Sequence, residues 1–266
     1  MIPGILSYLL FTLLAAALAL RASPTSEIRI AAAADLKFAM RELAGDFQKS
    51  TGIQLDVTFG SSGNFFSQLQ NGAPFDMFLS ADIDYPKKLE AADLTEPGTL
   101  YPYASGKIVL WLPQDSKIDL AKLEWKALLD PSIQKIAIAN PEHAPYGRAA
   151  IAAMRAAGLY EQLKSKLVYG ENISQAAQFV QSGNAQAGIL ALSFAVSPAL
   201  RDGKSWTIPA QQYPQLLQGA VVLKNAANKT EALRFLGFLK TDVAKAILQK
   251  YGLALPTTAT ASGNAR

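Results

Sequence analysis

The sequence predicts an α/β protein built from two lobes, with mixed and mainly parallel sheets. From residue 27 onward, short apolar runs alternate with segments whose apolar residues recur at helical spacing, which is typical of strands joined by helices. With 266 residues, the chain is longer than a usual single domain, and this favours two medium-sized lobes. Half of the residues are apolar and 17% are charged, the balance expected of a soluble globular protein.

The N-terminal residues 1–23 are expected to be a cleaved secretory signal peptide. Residues 4–20 carry no charge, and Ala17-Leu18-Ala19 is the small-x-small pattern that signal peptidase cuts. No Lys or Arg precedes the apolar run, and its length approaches that of a membrane span, so a retained anchor is the alternative. Cleavage implies a periplasmic protein. At the other end, residues 257–266 are low in complexity and are expected to form a mobile tail.

The elements of the first half follow from periodicity and from residues that end helices. EIRIAAAA, from residue 27, is predicted to be a strand, and the helix after it ends at Gly52. The apolar residues of that helix recur at helical spacing; they are Leu36, Ala39, Met40, Leu43 and Phe47. The other elements predicted here are the strand IQLDVTF, the helix after GSSG, the strand FDMFLSAD, the helix YPKKLEAADL, the strand KIVLWLP and the helix LEWKALLDP, ended by Pro131.

The second half repeats this alternation. Its predicted elements are the strand KIAIANPEH, the helix APYGRAAIAAMRAAGLY, the strand KLVYGEN, the helix ISQAAQFVQSGN, the strand AQAGILALSFAV, the strand QGAVVLK, and the helices KTEALRFLGFLK and TDVAKAILQKYG. We expect lobe one to comprise residues 27–103 and 210–256, and lobe two to comprise residues 104–209. A ligand cleft is expected between them.

Composition argues against several classes of function. The chain has no Cys, which excludes disulfides, thiolate metal sites, a cysteine nucleophile and a lipid-anchoring Cys. The net charge of +4 is spread over scattered Lys and Arg residues, so nucleic acid is not an expected partner. No nucleophile–base pair or redox centre is visible, which argues against an enzyme and a cofactor, although an enzyme on the same fold remains the alternative.

A free metal cation is not expected either. His143 is the only His, so a multi-His site is impossible. Asp76, Asp82 and Asp84 cluster near a predicted strand end and suggest Mg²⁺, but calcium- and magnesium-binding loops carry a denser ligand spacing. We therefore expect these carboxylates to cap the ends of strands.

Four predicted strand-to-helix junctions carry small or hydroxyl residues, at 34–36, 60–64, 145–148 and 172–174. Free N–H groups and the helix dipole make such junctions anion sites without any Lys or Arg. Several junctions at one cleft would bind an oxyanion. The alternative is that Asp35, Ser62 and Ser174 only cap their own helices. GSSG lacks the GK[ST] of a nucleotide-binding loop.

Five segments between about Ile28 and Leu253 resemble the periplasmic molybdate-binding proteins of ABC importers, the ModA family. They are AAAADLKFAM, TFGSSGNFFSQLQNGAPFDMFLSAD, NPEHAPYGRAA, GENISQAAQFVQSGNAQAGILAL and RFLGFLKTDVAKAILQKYGL. The resemblance implies a type II, two-lobed binding protein that captures molybdate or tungstate between its lobes. It also implies a monomer that delivers the ion transiently to a permease in the inner membrane, with molybdenum bound only as its oxyanion.

The resemblance also implies which residues hold the ion. One contact comes from each helix-start loop: the position of Asp35 in the first, the hydroxyl and N–H of Ser62, Tyr146 in the Pro-Tyr-Gly loop, and the backbone N–H of Ile173. Gly60 and Gly63 are expected to let the backbone approach the ion.

Two positions depart from the family pattern. A late Tyr in many members corresponds to Ala191, and the hydroxyl of Tyr146 is expected to replace it. The first loop offers Asp35 where Ser or Thr is usual, and an ionised carboxylate repels an anion. We expect its carboxylate to turn away and accept from the N–H of Lys37 or Phe38. The alternative is a ligand that carries a proton, such as hydrogen phosphate, which Asp35 would accept in a short hydrogen bond.

Overall fold

The computed structural model describes residues 27–256. The expected signal peptide at 1–23 and the expected tail at 257–266 lie outside these residues. Among the described helices, none combines the length and apolar character needed to cross a membrane.

The described chain contains ten strands and ten α-helices. The strands are β1 (Glu27–Ala33), β2 (Gln54–Gly60), β3 (Met77–Ser80), β4 (Tyr101–Gly106), β5 (Ile108–Leu112), β6 (Ile136–Ala139), β7 (Leu167–Gly170), β8 (Ala187–Ala191), β9 (Lys204–Thr207) and β10 (Leu216–Val222). The α-helices are α1 (Lys37–Thr51), α2 (Ser62–Gln70), α3 (Asp84–Ala91), α4 (Leu120–Leu123), α5 (Pro145–Ala156), α6 (Tyr160–Leu163), α7 (Ile173–Gln181), α8 (Leu192–Ala195), α9 (Lys229–Leu239) and α10 (Asp242–Lys250). Short 3-10 turns include Ala34–Leu36 and Glu124–Leu129.

The strands form two five-stranded sheets, one in each lobe. The first has the order β2-β1-β3-β10-β4 and the second β7-β6-β8-β5-β9. In the first sheet β1 is parallel to β2 and β3, whereas β10 is antiparallel to β3 and β4. In the second, β6 is parallel to β7 and β8, whereas β5 is antiparallel to β8 and β9. The predicted two-lobed α/β fold with mixed sheets is confirmed. The expectation that the sheets are mainly parallel was wrong, because β5 and β10 run antiparallel to both of their neighbours and the two kinds of pairing are equal in number.

The chain passes between the sheets twice, at Lys107 and again between β9 and β10. The expected boundary at 103–104 falls inside β4, because this strand continues to Gly106 before the chain leaves the first sheet. Parallel strands that lead directly into helices place the helix N-termini at the carboxyl edges of the sheets.

In helix α1, the apolar residues that predicted the helix also form its buried face. Its predicted apolar residues Ala39, Met40, Leu43 and Phe47 are all buried against the first sheet and its helices. Gly52 ends the helix with φ 75°, the left-handed conformation that favours glycine. This packing fixes the first turn of the helix, and with it the loop that precedes it.

Some predicted elements were wrong or missed. Residues 192–195 form the short helix α8 instead of continuing a strand. LEWKALLDP forms the end of α4 and a 3-10 turn instead of one helix. The strands β4 and β9 were not predicted, because Pro102 and Gly106 interrupt the strand pattern of β4 and little of β9 is buried.

The fully buried carboxylate of Asp76 has a structural role, as expected. It accepts from the N–H of Arg29 at 2.8 Å and from the N–H of Asn228 at 3.0 Å. Asp82 forms an ion pair elsewhere, with Arg148. Among residues 27–256, no group of three or more His, Asp or Glu side chains is arranged to hold a metal ion.

Candidate functional site

A small cavity lies between the two lobes, with an empty volume of about 200 Å³. All four of the predicted junctions contribute to its wall. The lining residues are Ala33, Ala34, Asp35, Gly60, Ser61, Ser62, Ala81, Ala144, Pro145, Tyr146, Asn172 and Ile173. The structure thus brings together Asp35, Ser62, Tyr146 and Ile173, the four residues singled out from the sequence.

Two serines line the cavity where α2 begins. Ser61 occupies the N-cap position with an extended backbone, and its buried hydroxyl has no hydrogen-bond partner. The hydroxyl oxygen of Ser62 accepts from the N–H of Ala81 at 3.0 Å. That bond fixes the Ser62 side chain against the end of β3 and leaves its hydroxyl proton for another acceptor. Both side chains therefore offer a hydroxyl donor at the positive end of a helix dipole.

The N-terminus of α7 offers a backbone donor. The side chain of Asn172 accepts from the N–H groups of Ser174 at 2.9 Å and Gln175 at 3.2 Å. Ile173, at the first position of the helix, has no intrahelical acceptor for its own N–H. Asn172 rather than Ser174 is thus the cap of this helix, and the free N–H of Ile173 belongs to a residue that lines the cavity.

Asp35 is fully buried within the 3-10 turn that follows β1. Its Oδ2 accepts from the hydroxyl of Tyr146 at 2.8 Å and from Nε2 of Gln218 at 2.6 Å. Nε2 of Gln218 also donates to the hydroxyl oxygen of Tyr146 at 3.2 Å. The other carboxylate oxygen of Asp35, Oδ1, is buried and has no partner. We refer to Asp35, Tyr146 and Gln218 as the Asp35 cluster.

The expectation that Asp35 caps a helix was wrong. Neither the 3-10 turn nor α1 has a side-chain cap, so the carboxylate does not accept from the N–H of Lys37 or Phe38. Asp35 lies inside the turn rather than before it, and Tyr146 of lobe two and Gln218 of β10 supply the donors instead.

The phenol of Tyr146 fits closely at the boundary between the lobes. A Cβ at Gly106 would lie 2.2 Å from the Tyr146 hydroxyl oxygen, so only glycine leaves room for this side chain. Burial first, and then the charge of Asp35, raise the pKa of the Tyr146 hydroxyl well above its usual range. The hydroxyl is therefore a donor at neutral pH, and its single proton is directed to Asp35. Ala191, where the family pattern has a Tyr, is fully buried at the end of β8.

The lining residues include no Lys, Arg or His, so any anion here is held by neutral donors and helix dipoles. Burial raises the pKa of Asp35 from 3.8 to about 6, while hydrogen bonds from Gln218 and Tyr146 oppose part of that rise. The site consequently contains one carboxyl group that titrates close to neutral pH.

Direct bonds hold the lobes against each other around the cavity. The N–H of Gly63 in lobe one donates to the carbonyl of His143 in lobe two at 2.9 Å. Arg148 of α5 donates to the carboxylate of Asp82 at 2.7 Å and to the hydroxyl of Tyr85 at 3.2 Å. Gly63 was expected to let the backbone approach the ion, and its N–H also joins the lobes. The conformation is the closed one, in which both lobes contribute to the cavity wall.

Sequence reasoning missed Ser61 and Gln218. Gln218 carried a signal: it is the one polar residue in the otherwise apolar strand LLQGAVV, and such a residue requires a buried partner. Ser61 carried none, because GSSG does not tell which of two adjacent serines faces a ligand.

Comparison with known proteins identifies the family of the chain. Residues 28–254 match the family of bacterial extracellular solute-binding proteins. The molybdate-binding protein ModA of Azotobacter vinelandii is 38% identical, over 88% of this chain and 92% of that protein. The ModA of Rhodobacter capsulatus is 40% identical, over 85% of this chain and 87% of that protein. The chain belongs to the ModA family of solute-binding proteins.

A solved structure of the same family supports the assignment. The periplasmic molybdate-binding protein of Azotobacter vinelandii has a TM-score of 0.80 at 34% identity, covering 86% of this chain and 99% of that one. Membership of the ModA family confirms the resemblance found in the sequence. It also places the cavity between the lobes in a fold shared with a molybdate-binding protein.

Proposed function

We propose that the chain binds molybdate or tungstate in the cavity between its lobes and delivers it to an ABC permease. The observation that carries the proposal is the convergence of three α-helix N-termini and one 3-10 turn on one cavity without a cationic side chain. This environment suits a small oxyanion, because the N–H groups and hydroxyls supply donors and the dipoles supply positive potential. The names of the ModA relatives identify molybdate as the ion to test first.

The size of the cavity supports a small ion over an organic ligand. The solvent-accessible volume of the closed cavity is about 10 Å³, far below the range of about 300–1,000 Å³ for pockets that hold larger molecules. In this proposal the hydroxyl of Ser62, the N–H of Ile173 and the Asp35 cluster contact the ion. Molybdate and tungstate have nearly the same size and charge, so we expect both to bind.

The conformation supports capture by closure. Contacts from lobe one and lobe two meet around the cavity only when the lobes are closed, so an ion that uses both sets favours the closed form. A permease would then recognise the closed protein in a transient contact. The relatives are named for binding, which supports a binding protein rather than an enzyme.

A thermal-shift panel of molybdate, tungstate, sulfate and phosphate tests the proposed ligand. An ion at about a hundred times its Kd stabilises the folded protein by about 2.7 kcal/mol. For a protein of this size, that raises the Tm by about 5–10 °C. We expect this shift for molybdate and tungstate. A shift with sulfate or phosphate, and none with molybdate, would replace the proposed ligand.

We also propose that the protein works in the periplasm after cleavage of residues 1–23. The family description as extracellular and the sequence of the N-terminus support this. Fractionation and N-terminal sequencing of the expressed full chain test it. Intact protein in the membrane fraction would indicate the retained anchor instead.

A further inference from the structure

The hydrogen-bond donors of the Asp35 cluster are fully used within the cluster. Tyr146 has one hydroxyl proton and the amide of Gln218 has two protons. The three bonds described above use all three: two of them end on Oδ2 of Asp35 and one ends on the oxygen of Tyr146. When Asp35 is ionised, the cluster therefore offers an anion no donor. It adds a negative charge whose second oxygen, Oδ1, is unpartnered and buried.

Adding one proton to the Asp35 cluster removes its negative charge and provides a donor for an anion. A proton on Oδ1 becomes a donor at once. A proton on Oδ2 donates to the oxygen of Tyr146 and frees the Tyr146 proton for another acceptor. In either arrangement the negative charge disappears and one donor becomes available to an anion, with the other bonds retained.

We propose that the Asp35 cluster takes up one proton from solvent each time the cavity binds its oxyanion. The inference rests on the proposed function of the cavity. The ionised protein, one dianion and one proton combine into a closed complex in which the proton lies between Asp35 or Tyr146 and an oxygen of the ion. No bond to the central atom of the ion forms or breaks. Asp35 thereby makes the affinity for a dianion dependent on pH.

The groups packed around Asp35 support uptake at this site. Tyr146 faces it from α5, Tyr103 from β4 and the neutral Gln218 from β10. Burial first, and then the charge of Asp35, raise the pKa of both tyrosines well above the usual range, so they remain protonated. Lys, Arg and His are absent from the lining residues contributed by α2, α5 and α7. Because burial raises the pKa of Asp35 to about 6, it is the group here that gains a proton near neutral pH.

Calorimetry with molybdate, in buffers of different ionisation enthalpy, measures the protons taken up per ion bound. Molybdate itself carries two negative charges at and above neutral pH. At about pH 8 we expect uptake to approach one proton per ion in the wild type. Between about pH 7 and about pH 9 we expect the affinity to fall about a hundredfold, a factor of ten per pH unit.

Asp35→Asn supplies a permanent amide donor without the charge. We expect this variant to bind molybdate without proton uptake and with the same affinity at both pH values. Asp56→Asn is the matched control, because it removes an exposed carboxylate from the same lobe and should behave like the wild type.

The possible failures are distinguishable. Molybdate binding by the wild type with constant affinity and no proton uptake would overturn the inference and leave the proposed function intact. Equal uptake in the wild type and in Asp35→Asn would assign the proton to another group and also overturn it. No molybdate binding by the wild type at any pH would overturn the proposed function itself. The wild-type measurement is decisive alone if Asp35→Asn does not fold.

Discussion

Burial of Asp35 predicts an unusual pH dependence for the stability of the ligand-free protein. A rise in its pKa from 3.8 to about 6 means that the folded chain binds this proton more tightly than the unfolded chain. Stability from this group is therefore greatest at low pH and is lost as the pH rises through both pKa values. The full shift corresponds to about 3 kcal/mol, of which about 2 kcal/mol falls between about pH 4 and about pH 7.5.

Comparing Asp35→Asn with the wild type isolates this contribution. The amide placed at Oδ1 has its own cost when it lacks a partner, but that cost does not change with pH. Other carboxylates titrate equally in both proteins. We therefore expect the free energy of unfolding of the wild type to fall by about 2 kcal/mol relative to Asp35→Asn between about pH 4 and about pH 7.5.

Urea unfolding followed by tryptophan fluorescence, without oxyanions, measures this difference at several pH values. Asp56→Asn should run parallel to the wild type, because its side chain is exposed. If the wild type and Asp35→Asn show the same pH dependence, Asp35 does not titrate in this range. If the wild type gains stability relative to the variant, the bonds from Tyr146 and Gln218 outweigh the cost of burial, and the sign of our argument is wrong.

Four further substitutions test the site and its closure. Ser62→Ala should weaken molybdate binding by about 1.5–3 kcal/mol, the value of a hydrogen bond to a charged group; unchanged affinity by calorimetry would remove this residue from the site. Tyr146→Phe should weaken binding about tenfold, and an unaltered Kd would show that the phenol does not supply a donor. Arg148→Gln breaks the 2.7 Å bond to Asp82 between the lobes. Because this pair is partly exposed, we expect the closed form to lose at most about 1 kcal/mol relative to the open form. Asp82→Asn should give a similar or smaller loss, since it leaves the bond from Arg148 to Tyr85. Scattering that shows the ligand-free Arg148→Gln variant as closed as the wild type would contradict this role.

The parts of the fold that the sequence predicted are those with strong local signals. The helix α1 follows from Ala39, Met40, Leu43 and Phe47 at helical spacing and from Gly52 at its end. The edge strands β4 and β9 lack such signals, because their pairing with β10 and β5 is decided by partners distant in sequence. Local pattern therefore predicts the longer helices, the central strands and the edge strands β2 and β7, whereas β4 and β9 are decided by tertiary pairing.

The candidate site likewise has a part that the local sequence predicts and a part that depends on tertiary contacts. The four helix-start loops were predictable, because small and hydroxyl residues before a helical pattern mark free N–H groups. The orientation of Asp35 was not, since its donors Tyr146 and Gln218 lie 111 and 183 residues away in the chain. The frequent use of Asp as a helix N-cap favoured bonds from Asp35 to nearby backbone N–H groups. In the buried site, the carboxylate instead accepts from two donors that are distant in sequence. Only the three-dimensional arrangement reveals that these donors are consumed within the cluster.

The electrostatics of the cavity depend mainly on the charge at position 35. Three α-helices begin at lining residues, Ser62, Pro145 and Ile173, and each N-terminus acts as about half a positive charge. An ionised Asp35 cancels about two of these three contributions, whereas a neutral one leaves all of them to the ion. The Ser or Thr found here in the family pattern would be neutral at every pH. Under the proposed proton uptake, the same set of helix dipoles would hold a dianion strongly when Asp35 is protonated and weakly when it is ionised.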